Sequence, residues 1–187
     1  MRVIAGICRG IKLKAPQGGI TRPTSDRVKE SLFNIISNQK NFDGCNVLDI
    51  CAGTGSLGIE SLSRGAFSCS FIELDRKVSE VLRQNLISTK LEQNSELLTM
   101  ESHKALRLLS GRGKKYNLVF FDPPYDSGLY ESTAILLCTL GLLTYDSLFV
   151  AECSARNPLP DLFGTLIKTD RRVYGDTALE FFNQEGA

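Results

Sequence analysis

The chain has 187 residues, 42% of them hydrophobic and 23% charged, the balance of a soluble globular domain and not of a disordered tail. Its net charge of +1 conceals an asymmetry: residues 1–30 carry seven basic groups against two acids, and the remainder fifteen against nineteen. No apolar run approaches the roughly 18–20 residues of a membrane span, and the opening MRVIAGICRGIKLK lacks the continuous apolar stretch of a signal peptide.

The six cysteines (Cys8, Cys45, Cys51, Cys69, Cys138 and Cys153) never fall as CxxC, and several sit in apolar stretches such as FVAEC. With one histidine in the chain, a zinc site is not expected. Reduced, packing cysteines in a cytoplasmic protein are the expectation. The basic opening, with Arg2, Arg9, Lys12, Lys14, Arg22, Arg27 and Lys29, points either to a polyanionic partner touched at one end or to an ordinary solvated face.

In chain order, RVIAG and GIKLKA flank a Gly-containing centre and predict a β-hairpin within residues 1–20. GGITRP reads as a loop. Thr24 or Ser25 then caps a helix over 24–37, with Asp26 in its first turn and Val28, Leu32, Ile35 and Ile36 forming one buried stripe. From residue 46 onward, apolar strands alternate with amphipathic helices: VLDI and SLGIESLSR, SCSFIEL and a helix carrying Val78, Val81, Leu82 and Leu86, SELLTM and HKALRLL, NLVFF and GLYESTAILLCTL, then SLFVAEC. TLIKTDRRV and TALEFF, joined by a Tyr-Gly-Asp turn, end the chain as an antiparallel pair. The pattern predicts a single α/β domain over 1–187. Its core over 46–187 is a seven-stranded, mostly parallel sheet with helices on both faces and an antiparallel C-terminal strand.

Strand VLDI runs into CAGTGSLG, which sets Gly53, Gly55 and Gly58 in G-x-G-x-x-G spacing at a strand-to-helix turn. Glycines there let a ligand approach the backbone, and the following helix offers free N–H groups. Glu73, twenty residues beyond Gly53, and then Asp75 end the next strand, where a carboxylate can accept hydrogen bonds from ribose hydroxyls. A tight turn that needs glycine only for packing is the bland alternative. Asp49, four residues before Gly53, bears on the ligand. It would repel a pyrophosphate and attract the ammonium and sulfonium of S-adenosylmethionine, a preference on the order of 1 kcal/mol or more over NAD.

Directly after NLVFF comes Asp122-Pro123-Pro124-Tyr125. The prolines remove donors and stiffen the turn, leaving the Asp122 carboxylate and the Pro123 carbonyl as acceptors facing the crevice at the strands' carboxyl ends. Two acceptors suit an exocyclic amino group. Holding both its hydrogens turns the nitrogen lone pair toward a sulfonium methyl, and Asp122 stabilises the charge that develops. Tyr125 offers a stacking face to a base turned out of structured nucleic acid. The alternative is a rigid turn with Tyr125 as packing.

Together, VLDICAGTGSLGIESLSRGA, FIELDRK and DPPY resemble the amino-methyltransferases of the Rossmann-like class I, S-adenosylmethionine-dependent fold. The opening MRVIAG…RGIKLKAP…TRPTSDRVKESLFNII and the closing VYGDTALEFF are similar to the RsmD family, which methylates N2 of one guanine in bacterial small-subunit (16S) ribosomal RNA. The resemblance implies that Asp49, Cys51, Gly53, Gly55, Glu73 and Asp75 surround the cofactor and that Asp122 to Tyr125 hold the base. It also implies that Thr24 and its neighbours line the methionyl end. Arg2, Arg9, Lys12, Lys14, Arg22 and Arg27 would grip RNA phosphates, and the partner would be a ribosomal particle met by a monomer. Cys51 stands where the family often has Phe. Where the family often has Asp after the third strand, this chain reads Glu101-Ser102-His103-Lys104, so no partner for the cofactor's adenine is assigned and His103 is read as a surface residue. The competing readings are a DNA adenine or cytosine amino-methyltransferase, an NAD-dependent oxidoreductase, and a non-catalytic RNA-binding module.

Overall fold

The computed structural model describes residues 1–16, 26–124 and 128–184. In chain order it contains α1 (Asp26–Gln39), β1 (Asn46–Ile50), α2 (Ser56–Ser63), β2 (Ser68–Glu73), α3 (Arg76–Thr89), β3 (Ser95–Thr99), α4 (Ser102–Gly111), β4 (Tyr116–Phe121), α5 (Leu129–Thr139), β5 (Leu143–Ser154), β6 (Leu162–Phe163), β7 (Leu166–Tyr174) and β8 (Thr177–Gln184). The strands form one sheet in the order β3-β2-β1-β4-β5-β8-β7-β6. The first five run parallel, while β8, β7 and β6 are antiparallel to their neighbours.

Among the described residues the sheet therefore has eight strands, not seven. The extra one, β6, is two residues long and pairs with β7 through a turn at Gly164, whose φ of 59° favours glycine. Two residues carry too little alternation to be read as a strand. The N-terminal segment is expected to be a hairpin within residues 1–20, of which residues 17–20 lie outside the described residues. Where it is described, it folds back on itself in the expected antiparallel sense but briefly: one bridge, Arg2 to Lys12, is framed by bonds from the Val3 amide to the Ile11 carbonyl (3.0 Å) and from the Leu13 amide to the Met1 carbonyl (3.1 Å). Helix α1 is described from Asp26 to Gln39, two residues past the expected end; Thr24 and Ser25, either of which is expected to cap it, lie outside the described residues.

The strands' side chains alternate between two cores. On one face α1, α2, α3 and the N-terminal arm bury Phe33, Ile36, Ile59, Leu62, Leu82 and Val3 against Val47, Phe71, Phe120, Val150 and Phe181. On the other, α4 and α5 bury Leu106, Leu109, Ala134 and Leu137 against Leu48, Ile50, Val119, Phe121 and Phe149. Each such aliphatic or aromatic side chain contributes about 1.5–3 kcal/mol on burial. Phe33 couples α1 to the sheet directly, its ring 5.8 Å from that of Phe120.

The arm is held by polar contacts that reach far along the chain. The carboxylate of Glu60, fully buried on α2, accepts from the amides of Ile4 (2.7 Å) and Ala5 (3.0 Å) and from Arg64 Nε (2.9 Å). Lys29 Nζ, fully buried on α1, lies 3.5 Å from the same carboxylate and donates to the Arg2 carbonyl at 2.7 Å. Asn85 on α3 donates to the carbonyls of Lys14 (3.1 Å) and Thr54 (3.0 Å), tying the arm to the glycine turn.

Candidate active site

Parallel strands β1, β2, β4 and β5 all end at one edge of the sheet, where crevices of such folds form. The register sets Ile50 beside Ile72 on one side and Phe121 on the other. The turns after β1 and β4 are therefore neighbours, and the Asp122 amide continues the pairing onto the Ile50 carbonyl.

The turn after β1 is built from residues that tolerate left-handed backbone. Gly53 (φ 55°) and Gly55 (φ 78°) require it, and Cys51 adopts it at φ 61° although it has a side chain, a strain held by the surrounding structure. A Cβ on Gly53 would meet nothing within 4 Å, so this face of the turn is open. Gly58 serves packing instead: a Cβ there would lie 2.3 Å from the Phe71 ring. Asp49, buried at the end of β1, accepts from the Gly58 amide at 2.9 Å and so caps α2 from the preceding strand. Burial pushes its pKa up to about 7, with the Gly58 hydrogen bond opposing and the negative charge of Glu73 adding to the rise.

Glu73 faces the same turn, accepting from the amides of Gly53 and Asp75, each at 2.9 Å. Asp75 is exposed, and its carboxylate caps α3 through the amides of Lys77 (2.7 Å) and Val78 (3.1 Å). Its first duty is structural, which the i, i+2 spacing to a helix start already signals. Cys51 is half-buried; burial and the charges of Glu73, Asp122 and Asp49 push its thiol up to about 12. It stays protonated and is no nucleophile.

After β4, Pro123 is buried and Pro124 exposed, with Asp122 between core and solvent. Burial, then the carboxylate of Glu152, then that of Asp49 raise Asp122 well above the usual carboxylate range. Glu152, buried on β5, is hidden in the sequence within the apolar run FVAEC; a lone acid at the carboxyl end of a strand is the available signal. Tyr125 and Arg22 lie outside the described residues.

The cationic residues of the arm are spread along it. Arg9, Lys12, Lys14 and Arg27 are exposed, whereas Arg2 pairs with Asp26 at 3.5 Å and Lys14 Nζ donates to Gln84 at 2.9 Å. Arg9 follows Cys8, whose amide and thiol are held by Ser63 and Thr89 at the far ends of α2 and α3. It therefore sits away from the glycine turn, while Met1 Sδ lies 4.0 Å from Thr54 Oγ1. His103 is half-buried, its Nε2 3.1 Å from Thr133 Oγ1, so it joins α4 to α5. Among the described residues no cluster of His, Cys, Asp and Glu is placed to hold a metal ion, and no helix is long and apolar enough to cross a membrane.

A glycine turn after β1, an acid closing β2 and an Asp-Pro-Pro turn after β4 on a sheet of this order define the class I methyltransferase fold. The family described as Conserved hypothetical protein 95 matches residues 1–183, and the chain belongs to this family, the RsmD family. Ribosomal RNA small subunit methyltransferase D of Escherichia coli is 37% identical over 185 residues, covering 99% of this chain and 90% of that protein. The protein of that name from Haemophilus influenzae is 38% identical over 160 residues, covering 85% and 81%. Among solved structures, yhhF from Escherichia coli superposes with a TM-score of 0.85 at 36% identity, covering 100% of this chain and 99% of that one.

Proposed function

We propose that this protein is a cytoplasmic, monomeric methyltransferase that uses S-adenosylmethionine to methylate the exocyclic N2 of a guanine in bacterial small-subunit ribosomal RNA, met within a ribosomal particle. The observation that carries this reading is the Asp122-Pro123-Pro124 turn fixed beside the glycine turn by the pairing of β1 with β4, in a chain of this family.

The residues present fit the cofactor. The open face at Gly53 admits a ligand against the backbone, and the acids around it, Asp49 and Glu73, favour a cation and disfavour a pyrophosphate. Asp49, Cys51, Gly53 and Gly55 would hold the methionyl part and Glu73 the ribose, with Asp75 setting the start of α3 behind it. When bound, S-adenosylmethionine supplies an electrophilic methyl group on a sulfonium.

The protein's own part is positioning and proton handling. The Asp122 carboxylate and the Pro123 carbonyl accept the two hydrogens of the amino group and turn its lone pair toward the methyl. Uptake of the methyl group by N2 would leave positive charge on that nitrogen. Asp122, more basic than a surface carboxylate because of its burial and its acidic neighbours, stabilises that charge and takes the proton N2 must shed. Tyr125 stacks on the base, and the arm with Arg22 and Arg27 holds phosphates.

The test is mass spectrometry of small-subunit rRNA nucleosides from cells lacking the protein. N2-methylguanosine should fall, and re-expression should restore it. Restoration by Asp122→Ala at the wild-type rate would remove Asp122 from the chemistry; the expected loss is about 100-fold or more, with cofactor binding retained.

A further inference from the structure

Glu152 is a buried acid that the chemistry above leaves without a task. Its position is set by register. Phe121 of β4 pairs with Ala151 of β5, so the next residues along these parallel strands, Asp122 and Glu152, stand side by side at the carboxyl edge. Alternation carries both to one face. Phe120 and Val150, two residues earlier on each strand, belong to the core beneath α1 and α2. Asp49 points to that face as well, through its bond to Gly58 on α2. The backbone at Glu152 is fixed from both flanks, by the antiparallel pairing with Leu179 and by the Tyr130 hydroxyl, which donates to the Glu152 carbonyl at 2.9 Å. The effect of Glu152 on the Asp122 carboxyl, the largest from any charge, agrees with their adjacency.

We infer that Glu152 is a specificity-determining residue that accepts the ring N1–H of guanine while Asp122 accepts from the neighbouring N2 amino group. This rests on the function proposed above and extends it from the reacting atom to the choice of base. Three nucleobases carry an exocyclic amino group. In adenine and cytosine the ring nitrogen beside it, N1 or N3, is an unprotonated acceptor on the pairing edge. In guanine the pairing edge presents N1–H next to N2–H2, two adjacent donors. A carboxylate beside the amino-gripping turn therefore attracts guanine and opposes a lone pair on adenine or cytosine. The rigid backbone on both flanks keeps this acceptor in place, so the choice between a facing donor and a facing lone pair is not relieved by movement of the strand.

The experiment uses the full chain and small-subunit ribosomal particles reconstituted on ribosomal RNA in which the guanine methylated by the wild-type protein is replaced, by splinted ligation, with 2-aminopurine. That base keeps the 2-amino group and lacks N1–H. For wild type, kcat/KM should fall about 10- to 100-fold from guanine to 2-aminopurine, the size of one hydrogen bond to a charged group. In Glu152→Ala the ratio should collapse to about one. Glu152→Gln keeps the shape and a neutral acceptor, so it should fall between, with S-adenosylmethionine affinity by calorimetry unchanged. If the alanine variant does not bind cofactor, the glutamine variant decides. A wild-type ratio retained by the variants, or a wild-type ratio of one, overturns the inference while leaving the function standing. A wild-type product other than N2-methylguanine overturns the function itself, and the inference with it.

Discussion

Removing the Glu60 carboxylate should unfasten the N-terminal arm and destabilise the whole domain. In Glu60→Ala the amides of Ile4 and Ala5 lose their acceptor and Arg64 loses its partner. The Lys29 ammonium stays fully buried and still donates to the Arg2 carbonyl at 2.7 Å, but without the Glu60 counter-charge. Burial already lowers the Lys29 pKa against the pull of Glu60, so without that carboxylate the charge loses its chief support. Breaking a buried pair from one side costs about 3–5 kcal/mol. At about 2–4 °C per kcal/mol for a chain of this size, thermal unfolding should shift down by roughly 6–20 °C. Replacing both partners, Lys29→Met with Glu60→Leu, should recover only part of that loss: the buried ammonium is gone, while Arg64 and the amides of Ile4 and Ala5 still lack their acceptor. Differential scanning calorimetry of the three proteins is the assay. A shift of less than about 2 °C in Glu60→Ala, or a double variant no more stable than the single one, would refute the latch.

Three further outcomes are expected. Asp49 titrates near 7 in the folded protein because it is buried, so a cationic cofactor should bind with release of a proton around neutral pH and lose affinity as pH falls below about 7; calorimetry in buffers of different ionisation enthalpy reads this, and Asp49→Asn should abolish the proton release. Gly58→Ala places a carbon against the Phe71 ring and Cys69 sulfur and should cost about 1–3 kcal/mol by overpacking, measured by urea denaturation. Charge reversal at Arg9 and Lys12 should weaken RNA binding and reduce the slope of log affinity against log salt by roughly 0.7–0.9 for each phosphate no longer neutralised. An unchanged slope would exclude the arm as the grip.

The sheet is legible in the sequence because its strands are short apolar runs punctuated by glycine and polar residues, as in VLDI before CAGTG, and because α3 and α4 present repeating apolar faces. The neighbouring glycine and Asp-Pro-Pro turns are legible for a related reason: ligand-binding loops sit where parallel strands end. What escapes is whatever depends on burial of charge. Lys29 is read only as one charge of the basic opening and Glu60 draws no reading at all, since nothing local reveals that both are fully buried. Glu152 draws no reading of its own inside the strand SLFVAEC, and the sequence does not show that Asp75, expected beside the cofactor, also caps α3. The arm's fold-back is legible from its alternation, but its docking onto α2 and α3 is not, because the groups that hold it there lie far along the chain.

That docking has a temporal consequence. Ile4 meets a residue 56 positions later, Lys14 one 71 later and Cys8 one 81 later. During synthesis at roughly 5–20 residues per second, the opening segment must wait several seconds for its binding surface to emerge. This arm, made well before the surfaces it docks on, is thus among the last parts of the domain to settle, and in the interval its cationic side chains are displayed on an unanchored strand of chain.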